Sequence, residues 1–195
     1  IMAGQGTVGL EIMADLADAD TLVVPIGGGG LIAGVATAAR GIRPDIRIVG
    51  VEAASAPAAL LSRQAGAITT LAAARSLADG IALKQVGTLT FPVIEALVDE
   101  IVTVEEEEIA HAIVGLMEKS KLVVEGAGAV GLAALLYGKP GVASGKTVVI
   151  LSGGNIDMQT ISRVVERGML AEGRFLMIRI ELDDSPGALA RLAAL

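Results

Sequence analysis

The distribution of apolar and polar positions switches repeatedly between helical and strand periods. From Gln5 to Ala17 the apolar residues Leu10, Ile12, Met13 and Leu16 fall at helical spacing, with Thr7 positioned as an N-cap. Apolar, β-branched runs predict strands at Thr21 to Ile26, Ile46 to Val51, Glu100 to Val104 and Lys146 to Leu151. Between and around them, helical spacing predicts helices over Leu31 to Arg40, Pro57 to Gln64, Phe91 to Val98, Glu105 to Lys119, Gly126 to Tyr137 and Ile156 to Arg167. Residues 66 to 90 are mixed and loop-rich. The alternation is that of an α/β protein with a parallel, doubly wound sheet.

Near Gly173 the register changes. Arg174 to Leu182 alternates apolar and charged residues from Met177 on, which predicts a strand with one wet face. A turn at Asp183 to Gly187 and a helix from Ala188 follow. This divides the chain at about residue 172, into a region 1–172 and the start of another unit, 173–195. The chain opens at Ile1-Met2 and stops within a helical pattern, so it is expected to be a piece of a longer protein.

Composition narrows the class. The chain is 53% hydrophobic and 2% aromatic, with 25 glycines, which suits a Val/Ile/Leu/Ala sheet packed by helices. The net charge of −7 leaves no basic stripe for nucleic acid. The absence of cysteine removes disulfides, thiolate metal sites and cysteine nucleophiles. The apolar runs are short and interrupted, so no membrane partner is expected, and a cytoplasmic location is the default.

The chemistry concentrates in glycines. Gly27 to Gly30 follow the first predicted strand and precede a helix. A nucleotide P-loop is excluded: Gly145-Lys146-Thr147 resembles its end, but Pro140 occupies the place of its first glycine, and the segment precedes its strand. A dinucleotide fingerprint fits Gly28-x-Gly30-x-x-Ala33, with Glu52 closing the next strand as the ribose acid. A compact anion cup fits as well, because four glycines let several backbone N–H groups converge on one phosphate at a helix N-terminus. A tight strand-to-helix turn without a ligand is the plainest alternative. A second junction, Ser152-Gly153-Gly154-Asn155, follows the last strand, with Asn155 in position to cap the next helix. In a parallel sheet both junctions share the ligand-binding edge. A phosphate cup facing a neutral hydroxyl suits a small flat molecule with one phosphate.

The segments PIGGGGL, GVEA, ADGIA, EGAGA and LSGGN, in that order, with AGQGT at residues 3 to 7, resemble the fold-type II pyridoxal-phosphate enzymes. That is the tryptophan synthase β-like class, and within it the likeness is to the threonine ammonia-lyase (threonine dehydratase) family. The tail, with D-x-P-G-x-L at Asp184 to Leu189, is similar to the opening of an α+β ACT domain.

The resemblance implies pyridoxal 5'-phosphate as cofactor, with Gly27, Gly28, Gly29, Gly30 and Leu31 on its phosphate and Ser152 on its pyridine nitrogen. Gly80 and Glu125 would line the pocket edge, although Glu125 also reads as an acid at a helix N-terminus. It implies β-elimination from L-threonine, and from L-serine, to 2-oxobutanoate or pyruvate and ammonia. An amino-acid effector at the ACT domain and a homodimer or homotetramer are implied too. The Schiff-base lysine of the family has no counterpart among Lys84, Lys119, Lys121, Lys139 and Lys146. No catalytic residue is therefore assigned in this chain, the lysine is expected upstream, and these 195 residues alone are expected to be inactive. Two rival readings are an NAD-dependent dehydrogenase using Gly28, Gly30, Ala33 and Glu52, and a non-catalytic amino-acid sensor.

No metal is expected. In related racemase-like enzymes Glu52 would begin a divalent-metal site, but the position six residues on is Ala58 rather than Asp. Glu105 to Glu108 reads as a solvated run at a helix start, and His111 as a surface or half-buried packing residue.

Overall fold

A computed structural model describes residues 1–142, 145–171, 173, 174, 176 and 178–194. The described elements run α1 (Met2–Asp15), β1 (Thr21–Pro25), α2 (Gly30–Ile42), β2 (Arg47–Ala53), α3 (Ala58–Ala65), α4 (Phe91–Leu97), β3 (Glu100–Val104), α5 (Glu106–Gly115), α6 (Gly126–Leu136), β4 (Thr147–Val149), α7 (Met158–Ala171) and α8 (Ala188–Ala193). The strands form one parallel sheet in the order β3-β2-β1-β4.

Side-chain alternation along the strands builds two cores. Leu22, Val24 and Ile48 face a cluster with Ile32 and Val35 of α2 and Ile94 of α4. Val23, Val49 and Val51 face the opposite cluster with Ile109 and Ile113 of α5 and Val130 of α6. Both faces of the sheet are covered, which is why these runs are apolar without a polar period. No helix among the described residues is long and apolar enough to cross a membrane.

The chain order reverses between β1 and β4: β2 and β3 extend the sheet on one side of β1, and β4 closes the other. Such a switch point opens a crevice at the carboxyl ends of its two strands, because the connections leave in opposite directions. Gly27–Gly30 leaves β1 there. Ser152 leaves β4 there, with Val23 paired to Val149 and the Ile150 N–H donating to Val23 O at 3.1 Å.

Three local expectations fail. Thr7 lies inside α1, where its hydroxyl donates to Gly4 O, so it caps nothing. α7 is capped by Asp157 instead of Asn155: its Oδ1 accepts the Thr160 N–H at 2.9 Å. The strand expected over Arg174 to Leu182 is absent among its described residues; Phe175 and Met177 lie outside them. Ile178, Ile180 and Leu182 are largely exposed, because no neighbouring strand among the described residues pairs this segment. The boundary residue Glu172 also lies outside the described residues.

Candidate functional site

The crevice at the switch point is a cavity of about 170 Å³ lined by Pro25, Gly27, Gly28, Gly29, Gly30, Leu31, Gly80, Ile81 and Ser152. The glycine quartet, Leu31, Gly80 and Ser152, expected together from the sequence, therefore meet in one place. Its floor is backbone. The N–H groups of Gly27, Gly28, Gly29, Gly30 and Leu31 donate to no acceptor among the described residues; Gly29 is buried, and Gly30 and Leu31 belong to the first turn of α2, whose donors a helix leaves for a ligand or water. The N-terminus of α2 adds its partial positive charge.

The cup is glycine for steric reasons as well. Gly29 has φ 84°, and a Cβ there would lie 2.7 Å from Ile94 Cδ1 and 2.7 Å from Thr90 Oγ1. On Gly27 a Cβ would lie 2.9 Å from Ile81 Cα, in the short 3-10 turn Asp79–Ile81 that lines the cavity. Converging N–H donors without a charged side chain form an anion cradle of the size a phosphate needs. Ser152 is half-buried, and its hydroxyl has no hydrogen-bond partner among the described residues. It can thus donate to or accept from a ligand. The donor set fits a phosphorylated ring with a neutral ring nitrogen.

Glu125 stands beside the crevice: a Cβ on Gly80, which lines it, would lie 3.6 Å from Glu125 Oε1. Glu125 lines a neighbouring cavity of about 300 Å³ with Asp79, Asp157 and Arg163. It occupies the N-cap of α6, but its side chain does not cap the helix. Its Oε2 accepts the Asn155 N–H at 3.0 Å, and its own N–H donates to Gly153 O at 3.3 Å. Glu125 thereby fixes the loop that carries Ser152.

Glu52 is committed elsewhere. It is 1% exposed, and its two carboxylate oxygens accept the Ala59 and Leu60 N–H groups, both at 2.8 Å, at the start of α3. The acid required by the dinucleotide reading is therefore not available to a ribose. Burial pushes the Glu52 carboxyl up from 4.5 to about 7, against the two amides, which pull it down.

This shift sets a pH dependence. Between its ordinary value and about 7 the folded state holds a proton that the unfolded state has lost, so stability falls as pH rises through that window. Going from about pH 5 to about pH 8 should lower stability by on the order of 2 kcal/mol. Asp18, Asp20, Glu118 and Asp157 are held below the usual carboxylate range by hydrogen bonds, above all those to Lys146 (from its side chain to Asp18, from its backbone to Asp20), Arg174 and Thr160. Their contribution is lost only at more acid pH. Urea midpoints at the two ends of that range check the expectation: the slope should vanish in Glu52→Gln, and an equal slope in that variant contradicts it.

The acidic run is more specific than a solvated face. Glu105 and Glu108 form a reciprocal capping box for α5. Glu106 accepts the Leu77 N–H at 2.7 Å and the Ser55 hydroxyl at 2.9 Å, and Glu107 pairs with Arg167. His111 is half-buried and hydrogen-bonds Tyr137 Oη at 2.8 Å, a packing role as expected.

Sequence reasoning missed Ile81, Gly87, Thr90 and Gly128. A Cβ on Gly128 would overlap Ser152 O, so this turn of α6 lies directly against the end of β4. The signals in the sequence were the EGAGA segment, which contains Gly128, and the Gly128-x-x-Gly131 spacing within a helix rich in small residues.

A family model described as "Pyridoxal-phosphate dependent enzyme" matches residues 1–153. The chain belongs to the pyridoxal-phosphate dependent enzymes. Among members of this family, it is 62% identical over 193 residues to L-threonine ammonia-lyase of Geobacter sulfurreducens, covering 99% of this chain and 48% of that protein. It is 48% identical over 166 residues to the catabolic L-threonine dehydratase of Escherichia coli K12, covering 84% of this chain and 50% of the relative. Thus the chain spans about half the length of these relatives. Among solved structures of the family, a threonine deaminase from T.th. matches with a TM-score of 0.76 at 41% identity, covering 80% of this chain and 59% of that one. Maize serine racemase matches with a TM-score of 0.78 at 43% identity, covering 83% and 51%.

Proposed function

We propose that the full protein is an ammonia-lyase that binds pyridoxal phosphate at the switch-point crevice and deaminates L-threonine, and L-serine as well. The observation that carries this reading is the 62% identity to an L-threonine ammonia-lyase over nearly the whole chain, a span that includes the glycine quartet and Ser152. Threonine would give 2-oxobutanoate and ammonia: the Cα proton and the β-hydroxyl leave, and water replaces nitrogen in the product.

In this reading the amides of Gly27 to Leu31 bind and orient the cofactor phosphate, aided by the α2 N-terminus. Ser152 Oγ pairs with the pyridine nitrogen. Bound pyridoxal phosphate supplies an electron sink for the charge left at the substrate Cα when its proton departs. A hydroxyl, unlike a carboxylate, does not oblige the ring nitrogen to remain protonated. Ser152 thus limits the sink and favours expulsion of the β-hydroxyl over other fates of that charge. Gly80 and Ile81 close one side of the crevice and exclude water from it.

Among the described residues no lysine lines the crevice. The Schiff-base lysine is therefore assigned to the half of the protein outside these residues, and the 195-residue chain alone is expected to be inactive. Residues 173–195 are read as the start of an ACT module; Gly187, at φ 81°, forms its turn into α8. A homodimer or homotetramer, a cytoplasmic location and an amino-acid effector at that module complete the reading.

The test is direct. The full-length protein loaded with pyridoxal phosphate should release equimolar 2-oxobutanoate and ammonia from L-threonine. Cofactor binding without turnover of threonine or serine would overturn the substrate assignment.

A further inference from the structure

We propose that Thr90 is a positioning residue for the phosphate cup, acting through the Gly28–Gly29 peptide; this rests on the cofactor reading above. Thr90 stands at the N-cap of α4, where a threonine oxygen ordinarily accepts from its own helix. Here the side chain makes no such bond. The hydroxyl donates to Gly28 O at 2.6 Å, across 62 positions of sequence, with Gly87 O at 3.1 Å as a second acceptor. The Gly87 N–H donates to the same Gly28 oxygen at 3.2 Å. The turn Gly87–Thr90 therefore holds one carbonyl of the glycine loop from two sides.

Thr90 lies behind the cup. It lines a separate cavity with Ile1, Gln5, Gly28, Gly30 and Leu31, and is absent from the lining that contains Ser152. A trans peptide points its C=O and its N–H in opposite directions. Drawing Gly28 O toward Thr90 turns the Gly29 N–H away from it, toward the crevice. The same rotation accounts for the left-handed φ of 84° at Gly29. Thr90 is 9% exposed, so water does not replace its hydroxyl readily.

Valine at this position keeps the shape and removes the donor, leaving Gly28 O with the longer Gly87 bond alone. In the full-length protein, Thr90→Val should weaken pyridoxal phosphate binding about tenfold, the size expected when one buried hydrogen bond stops fixing a ligand-binding amide. Thr90→Ser should restore affinity to within about twofold of the parent. The phosphorus NMR resonance of the bound phosphate should move in Thr90→Val and return in Thr90→Ser. The melting temperature of the cofactor-stripped protein separates positioning from bulk stability, and it should fall far less than the cofactor-loaded value. Unchanged affinity and phosphorus resonance in Thr90→Val would overturn the proposal. Equal losses in stripped and loaded protein, without rescue by serine, would overturn it as well. Failure of the parent protein itself to bind the cofactor would instead sink the reading of the crevice.

Discussion

Replacing Gly29 by alanine is expected to lower affinity for pyridoxal phosphate by at least about 100-fold, the largest effect of any single methyl in the crevice. Two independent penalties coincide there. The backbone is left-handed, at φ 84°, which costs a residue with a Cβ roughly 1–2 kcal/mol. The added carbon would also sit 2.7 Å from Ile94 Cδ1 and from Thr90 Oγ1. Ile94 belongs to the core under α4 and cannot yield without opening a void. The loop must therefore move, and several N–H groups lose their common aim together. Folding stability should fall by about 2–4 kcal/mol. Gly28→Ala is the comparison: its carbon would meet only Leu83 Cδ1, at 3.5 Å, so stability should stay within about 1 kcal/mol of the parent. Spectrophotometric cofactor titration and thermal melts read both effects. Similar stability losses in the two variants would contradict the steric account.

The second large effect is expected at Gly128, far from the glycine quartet in sequence. An added Cβ would overlap Ser152 O and lie 2.7 Å from Val124 Cγ1, so α6 and the end of β4 must separate. Gly128→Ala should cost about 2–3 kcal/mol of stability and displace Ser152 from the crevice. Because the phosphate cup stays intact, cofactor affinity should fall less than in Gly29→Ala, while the absorption band of the bound cofactor should shift. Ser152→Ala, which leaves the backbone in place, should reproduce the spectral change without the stability loss. A Gly128→Ala protein with the parent spectrum and parent stability would show that this contact is not required.

Much of this was legible in the sequence, and the reasons differ by element. The central strands β1 and β2 were the plainest, because strands covered on both faces are apolar over nearly their whole length, and the edge strands β3 and β4 carried shorter apolar runs. The glycine quartet and Ser152 were legible because each sits where a strand hands over to a helix, the one place in such a sheet where backbone donors converge. Thr90 was hidden because a threonine before a helix reads as a local cap, and only the fold shows its hydroxyl directed at Gly28 instead. The loop contact of Glu125 was hidden for a similar reason. Its position beside the crevice follows from the sequence, but its hydrogen bond to Asn155 depends on how the loop after β4 turns back. Glu52 was read as a ribose acid because it ends a strand at the right distance; its commitment to the Ala59 and Leu60 N–H groups at the start of α3 appears only in the fold. The alternating segment from Ile178 to Leu182 shows the limit of periodicity: the pattern describes what a strand would bury, and it forms no ladder where no partner strand is described.

The measurement that bears most directly on the site is a crystal structure of the full-length protein with pyridoxal phosphate bound. The expected result is a phosphate within about 3 Å of the N–H groups of Gly27 to Leu31, and a pyridine nitrogen at similar distance from Ser152 Oγ. A phosphate held away from the glycine quartet, or a ring nitrogen out of reach of Ser152, would contradict it.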